Sequence, residues 1–167
     1  MRYAQIRKTD IANGVGIRTS LFVTGCEFNC KNCFNKEFQD FSYGNEFTKE
    51  VEDSLINCVN QPHIVGATIL GGEPMHRTNR FCVAAITTRI KSECVGKTVW
   101  VYTGFKYEKL LEESPEVLKD VDVLVDGLFV EGLKSPTLRF KGSSNQRIID
   151  VQESLRTNKI VLWEENK

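Results

Sequence analysis

What the sequence lacks narrows it first. Neither sign of charge is in excess, since lysine plus arginine and aspartate plus glutamate both number 22. That balance gives no bulk attraction to nucleic acid or to an anionic membrane, and neither is expected as a partner. No run of about 18 apolar residues occurs, so no membrane span is expected. The opening stretch MRYAQIRKTDIANG has no apolar core of a secretory signal. Histidine is scarce: only His63 and His76 are present, and each reads as a surface or satisfied residue unless His76, just past a GGEP turn, touches a site there.

Cysteine is the residue in unexpected supply. Six are present with no secretion signal, which points to a reducing cytoplasm, where clustered thiols favour metal binding or catalysis over disulfides. Three of them, Cys26, Cys30 and Cys33, crowd into the stretch TGCEFNCKNCFN. A structural zinc site wants four ligands and a disulfide framework wants pairs. Three thiolates can instead hold three corners of a [4Fe–4S] cube, leaving one iron open to a small molecule. Two alternatives stand beside this. A fourth thiolate from Cys58, Cys82 or Cys94 would give a closed zinc site or an electron-transfer cluster, and the thiols could carry no metal at all. Cys58 falls on the apolar face of a helical pattern, where a free cysteine behaves as a small hydrophobe, and Cys82 and Cys94 read as structural thiols.

The rest of the pattern is α/β. Four short apolar runs read as strands: TSLFVT (19–24), IVGATIL (64–70), KTVWVYT (97–103) and VDVLVD (121–126). Helical faces lie between them: Val51, Leu55, Cys58 and Val59 after a Thr48 cap, then Phe81, Ala84, Ala85 and Thr88, then YEKLLEE ahead of Pro115. Alternating strands and helices predict parallel βαβ units in one domain over 1–167. So few strands cannot close an eight-stranded barrel, so the expected fold is an open or partial (β/α) barrel with a mostly parallel sheet. Beyond Gly127 the pattern weakens to a polar turn in FKGSSNQRIIDV, an apolar run, and one short strand in KIVLW.

A parallel sheet ends all its strands on one edge, where α/β sites gather. The four strand ends carry the cysteine loop, GGEP, TG and DG, so these segments should face one another. Gly71 and Gly72 admit close backbone approach, and Glu73 can accept hydrogen bonds from an ammonium or hydroxyl. A plain turn fixed by Pro74 would use the same residues.

Together these residues resemble a known family. Cys26-x3-Cys30-x2-Cys33 with Gly71-Gly72-Glu73-Pro74 resembles the radical S-adenosylmethionine (SAM) superfamily. NGVGIR (13–18), LFVTGC, CFNKEF, VYTGF, VLVDGLF and KGSSNQR resemble the activating proteins of anaerobic ribonucleoside-triphosphate reductases. The likeness runs from about residue 3 to 150. Val15 stands where the family has proline, and 151–167 extends past its usual end.

The resemblance implies a [4Fe–4S] cluster on Cys26, Cys30 and Cys33, with SAM chelating the fourth iron. Reductive cleavage of SAM would give methionine and a 5′-deoxyadenosyl radical, which would take a hydrogen from a glycine Cα of the reductase. Gly71, Gly72 and Glu73 would contact the methionine end of SAM, and Phe34 would shield the cluster from water. Thr103, Gly104, Asp126 and Gly127 are weaker candidates at the same mouth. Ser143, Ser144, Asn145, Gln146 and Arg147 could bind the adenosyl part or the reductase, or simply cap a turn. Asn13 and Arg18 belong near the cluster or the partner, or to a solvated loop. An electron donor such as flavodoxin or ferredoxin is also implied. The rival functions are an activase of pyruvate formate-lyase type, a small electron carrier and a zinc-stabilised binding module.

Overall fold

The computed structural model describes residues 1–165. Strand β1 (Arg2–Asp10) opens the chain, followed by β2 (Arg18–Val23), a short β3 (Asn45–Glu46) and α1 (Lys49–Val59). Strand β4 (Gly66–Gly71), α2 (Arg80–Glu93), β5 (Thr98–Thr103), α3 (Tyr107–Glu113) and β6 (Val123–Asp126) come next. The chain closes with β7 (Arg147–Asp150), α4 (Val151–Thr157) and β8 (Val161–Leu162).

The strands form one eight-stranded sheet in the order β3-β1-β2-β4-β5-β6-β7-β8. Of the five strands expected from the sequence, four are its parallel centre, β2-β4-β5-β6, and the fifth, in KIVLW, is the short β8 at the edge. The flanks are antiparallel: β1 on β2, β3 on β1, β7 on β6 and β8 on β7. The sheet is therefore mixed and open, which corrects the expectation of a mostly parallel one. The missed strands have a physical reason. In β1, RYAQIRKTD, nearly every residue is half-buried or exposed, so no apolar alternation marks it. Strand β7 is only four residues long and returns from a polar turn.

Two helix expectations fare differently. Helix α1 has the expected Thr48 cap, whose side chain accepts from the Val51 N–H, and it buries Leu55, Ile56 and Val59. Helix α2 is rotated from its expected face. It buries Val83, Ile86, Thr87 and Ile90, while Phe81 is 57% exposed. The i, i+3, i+4, i+7 row containing Val83, Ile86 and Ile90 is the more aliphatic of the two, and it wins the core.

Alternation along the central strands gives the sheet two different faces. Leu21, Val23, Ala67, Ile69, Val99, Val101, Leu124 and Ile149 pack with the helices into one large cluster. Each such aliphatic side chain larger than alanine contributes roughly 1.5–3 kcal/mol on burial. The other face carries a smaller cluster of Trp100, Val123 and Val125, with Tyr102, Phe140, Ile148 and Trp163 packed against it. Register then sets the site. Val23 pairs with Gly71 and Thr103 with Asp126, so the four parallel strands end together along one edge. Among the described residues no helix is long and apolar enough to cross a membrane.

Candidate functional site

The cysteine loop leaves β2 through Thr24 and Gly25. It is clamped at its base, where the Gly25 and Cys26 N–H groups donate to the Phe38 and Gln39 carbonyls at 2.8 and 3.0 Å. Between the cysteines the chain is turned by Asn29 and Asn32, both left-handed at φ 46° and 52°. Asparagine is one of the few side chains that takes this conformation readily. Each asparagine directly precedes a cysteine, so the spacing of the thiols follows from two local kinks. All six cysteines are free thiols.

Cys26, Cys30 and Cys33 line one cavity of about 560 Å³. Burial pushes the Cys26 thiol up to about 11, and the charges of Glu73, Cys30 and Cys33 push the same way. Burial and then Cys33 also raise Cys30. Thiolates gathered beside a buried carboxylate resist ionisation together, and a bound cation is what offsets that repulsion. The donor set thus fits a cationic iron–sulfur group. Cys58, Cys82 and Cys94 lie outside this wall. Cys94 is buried beneath α1, with its sulfur 3.7 Å from the Ile56 carbonyl oxygen. Among the described residues, no three His, Cys, Asp or Glu side chains converge to hold a single metal ion.

The GGEP turn is knitted to the loop. The Gly72 N–H donates to the Val23 carbonyl at 2.8 Å and the Glu73 N–H to the Gly25 carbonyl at 2.9 Å. Gly71 sits at φ +114°, and a Cβ there would fall 2.5 Å from the Val23 oxygen. A Cβ on Gly72 would meet the Phe38 and Gly25 oxygens below 3.0 Å. No larger residue fits either position without moving backbone. Asn35 Nδ2 donates to the Gly71 carbonyl at 3.3 Å. Glu73 is 2% exposed, and its carboxylate is fully engaged by the scaffold. Oε1 accepts from the Met75 N–H at 2.8 Å and the Thr103 hydroxyl at 2.6 Å, and Oε2 accepts from the Gly104 N–H at 2.7 Å. Burial raises this carboxyl to about 7 against those three donors. Glu73 therefore fastens the end of β4 to the end of β5.

The same cavity is lined by Phe34, Gly71, Gly72, Glu73, Thr103, Gly104 and Gly127, all singled out from the sequence, and by Asn13 and Gln146. Three other candidates, Asp126, Ser143 and the exposed Asn145, are not among the lining residues. Asp126 is fully buried, accepts from the Tyr107 N–H at 2.8 Å and forms an ion pair with Arg147, which also pairs with Glu108. Ser143 accepts from the Val130 N–H at 3.1 Å, and Asn145 donates to the Leu128 carbonyl at 2.9 Å. Gln146 ties the turn together, accepting from the Gly142 N–H and donating to the Gly127 carbonyl, each at 2.8 Å. The KGSSNQR segment is thus a capped turn that braces the cavity. His76 is held by Thr78 and lies 3.4 Å from Glu27, outside the wall. Arg18 is buried under the far end of the sheet, where it donates to Thr68 Oγ1 and to the Ala67 and Thr98 carbonyls.

Sequence reasoning missed Phe28, Asn35, Tyr102, Phe129 and Phe140, which also line the wall. A Cβ on Gly104 would strike the Phe28 ring at 2.5 Å, so the glycine of the TG pair serves aromatic packing over the site. Tyr102 had a readable signal: in TVWVYT the side chains facing away from the helices are Trp100 and Tyr102.

Three close-set cysteines in an α/β fold, opposite a glycine-built turn, define a single-cluster iron–sulfur class, and the 4Fe-4S single cluster domain family matches residues 12–149. Named relatives narrow this. One from Salmonella typhimurium is 44% identical over 148 residues, covering 87% of this chain and 96% of its own length. One from Vibrio cholerae is 38% identical, covering 89% and 97%, and one from Enterobacteria phage T4 is 34% identical, covering 89% and 93%. Each is named an anaerobic ribonucleoside-triphosphate reductase-activating protein, and this chain belongs to that family.

Proposed function

We propose that this chain activates an anaerobic ribonucleoside-triphosphate reductase by radical SAM chemistry, placing a glycyl radical on it. One observation carries the reading: Cys26, Cys30 and Cys33 share a cavity with the Gly71–Gly72 turn, and none of the other three cysteines lines that wall. Three thiolates would hold a [4Fe–4S] cluster and leave one iron for the amino and carboxylate groups of SAM. When bound, the pair supplies a one-electron reductive cleavage of the C5′–S bond, whose products are methionine and, once a hydrogen atom has left a glycine Cα of the reductase, 5′-deoxyadenosine. The electron comes from a small carrier such as flavodoxin or ferredoxin, in the reducing cytoplasm.

The chain's own residues bind, orient and exclude water. Gly71 and Gly72 offer main chain that a ligand can approach closely, at the methionine end. Glu73 acts through the scaffold, fixing that turn against Thr103 and Gly104. Phe28 and Phe129 give the metal end an apolar wall, and Phe34, 63% exposed, stands at its solvent rim. Asp126, Ser143 and Asn145 act as braces of the DG and KGSSNQR segments. We read the open sheet as a partial barrel, whose gap admits a glycine-bearing loop of the reductase.

The test is anaerobic reconstitution with iron and sulfide, reduction by dithionite with SAM, and assay for 5′-deoxyadenosine. The reductase is then added, and its radical is read by electron paramagnetic resonance. Both products are expected. Zinc in place of iron, or 5′-deoxyadenosine with no glycyl signal, overturns the reading.

A further inference from the structure

Among the described residues, three buried side-chain polar groups have no hydrogen-bond partner within the protein: Ser20 Oγ, Arg80 Nε and Tyr102 Oη. Only Tyr102 also lines the cavity. A buried hydroxyl left unpaired costs about 1–3 kcal/mol, so its retention asks for an occupant that satisfies it.

Its place in the sheet says which occupant. Phe22, Leu70 and Tyr102 lie on neighbouring parallel strands, one residue short of the strand ends, and all three line the cavity. The turns that would take SAM, Gly71–Gly72 and Thr103–Gly104, lie beyond them at the edge. On the other side the cavity continues to Arg7, Ala12 and Asn13. The charges that act on the Tyr102 hydroxyl are Arg18 and Asp10, at the end of the sheet remote from the cysteines. Tyr102 thus stands on the stretch of the cavity wall that lies beyond the cofactor turns. A loop presenting glycine has no side chain at the reacting residue, so recognition of that residue falls to its main chain, whose carbonyls accept and whose N–H groups donate. A tyrosine hydroxyl is a neutral donor to such an acceptor. Burial raises Tyr102 further, so it keeps its proton across the working range.

Resting on the proposed function, we infer that the Tyr102 hydroxyl donates a hydrogen bond to a main-chain carbonyl of the reductase loop and so helps set that loop's register at the reacting end. The test is Tyr102→Phe, which removes one oxygen and keeps the ring. Glycyl radical formation is measured against reductase concentration, alongside iron content and SAM affinity. One neutral hydrogen bond predicts KM for the reductase raised about threefold to tenfold, with kcat held, as for an interaction equal in ground and transition states. An unchanged KM overturns the inference, as does a loss confined to SAM affinity. If the variant takes up no iron, calorimetry of the metal-free protein with purified reductase decides: several-fold weaker binding supports the inference and equal binding overturns it. Wild-type protein that cleaves no SAM would instead sink the proposed function itself.

Discussion

The two faces of the sheet are built from the same strands and do opposite work. On β2, Leu21 and Val23 join the helix-side cluster, while Arg18, Ser20 and Phe22 face the other way; on β4, Ala67 and Ile69 oppose Thr68 and Leu70. The helix side is aliphatic and closed. The site side buries polar groups that need partners. Arg18 is 1% exposed and lies 5.4 Å from the Trp100 ring. Burial brings its guanidinium down to about 10, and carbonyls and hydroxyls satisfy it. A face tiled with aliphatics stabilises but cannot bind polar ligands; a face of hydroxyls and aromatics binds but adds less to stability. Alternation lets one strand carry both.

The largest expected effect separates the faces outright. Cys30→Ala, on the site-side loop, should abolish 5′-deoxyadenosine and lower bound iron. Its unfolding free energy in the metal-free state should stay within about 0.5 kcal/mol of wild type, because the residue lies in a partly exposed loop. A large loss of metal-free stability would mean that the loop belongs to the core and would break the comparison. Next in size is Ile69→Ala on the helix side, a fully buried residue. It should cost about 2–5 kcal/mol in denaturant unfolding. The thiols should remain in place, so iron uptake should persist wherever the variant is folded.

The sequence was legible where chemistry and strand order coincide. The cysteine loop, GGEP, TG and the glycine of DG were readable because each ends an apolar strand, and parallel pairing brings such ends together. The role of Asp126 was not, because its partner Arg147 comes from a later strand that pairs antiparallel. Ser143 and Asn145 carry the chemistry of ligand contacts, yet the same groups satisfy backbone in a turn, and only tertiary structure separates the two uses. The face of α2 failed for a similar reason: two helical rows competed, and packing chose the more aliphatic.

Glu73 joins the faces and gives the third expectation. Its folded carboxyl is raised to about 7 by burial, against 4.5 in the unfolded chain. Between those values the unfolded state has lost the proton that the folded state keeps. The metal-free protein should therefore have the full contribution below pH 4.5 and lose it as pH rises through 7, an effect of order 3 kcal/mol. Denaturant unfolding from pH 5 to 8 measures it. In Glu73→Gln that downward slope should be shallower. An equal slope in both proteins would remove Glu73 as the coupling group.

The smallest effect sharpens the comparison most. The chain has two tryptophans, Trp100 and Trp163, and their rings meet edge-to-face at 5.1 Å on the site side. Trp163 also donates its backbone N–H to the Ile148 carbonyl at 2.9 Å, which holds its ring on this face, while Val151 earlier in the same segment joins the helix-side cluster. Trp163→Phe, which keeps a ring, should cost about 1 kcal/mol or less, the usual worth of such an aromatic pair beyond the area it buries. Because both tryptophans lie on one face, their emission reports that face, while far-ultraviolet circular dichroism reports helices on the other. Shared strands require the two signals to change together in wild type as denaturant rises. If emission changed first, the site side would be opening alone, and the two faces would be separate cooperative units despite their common backbone.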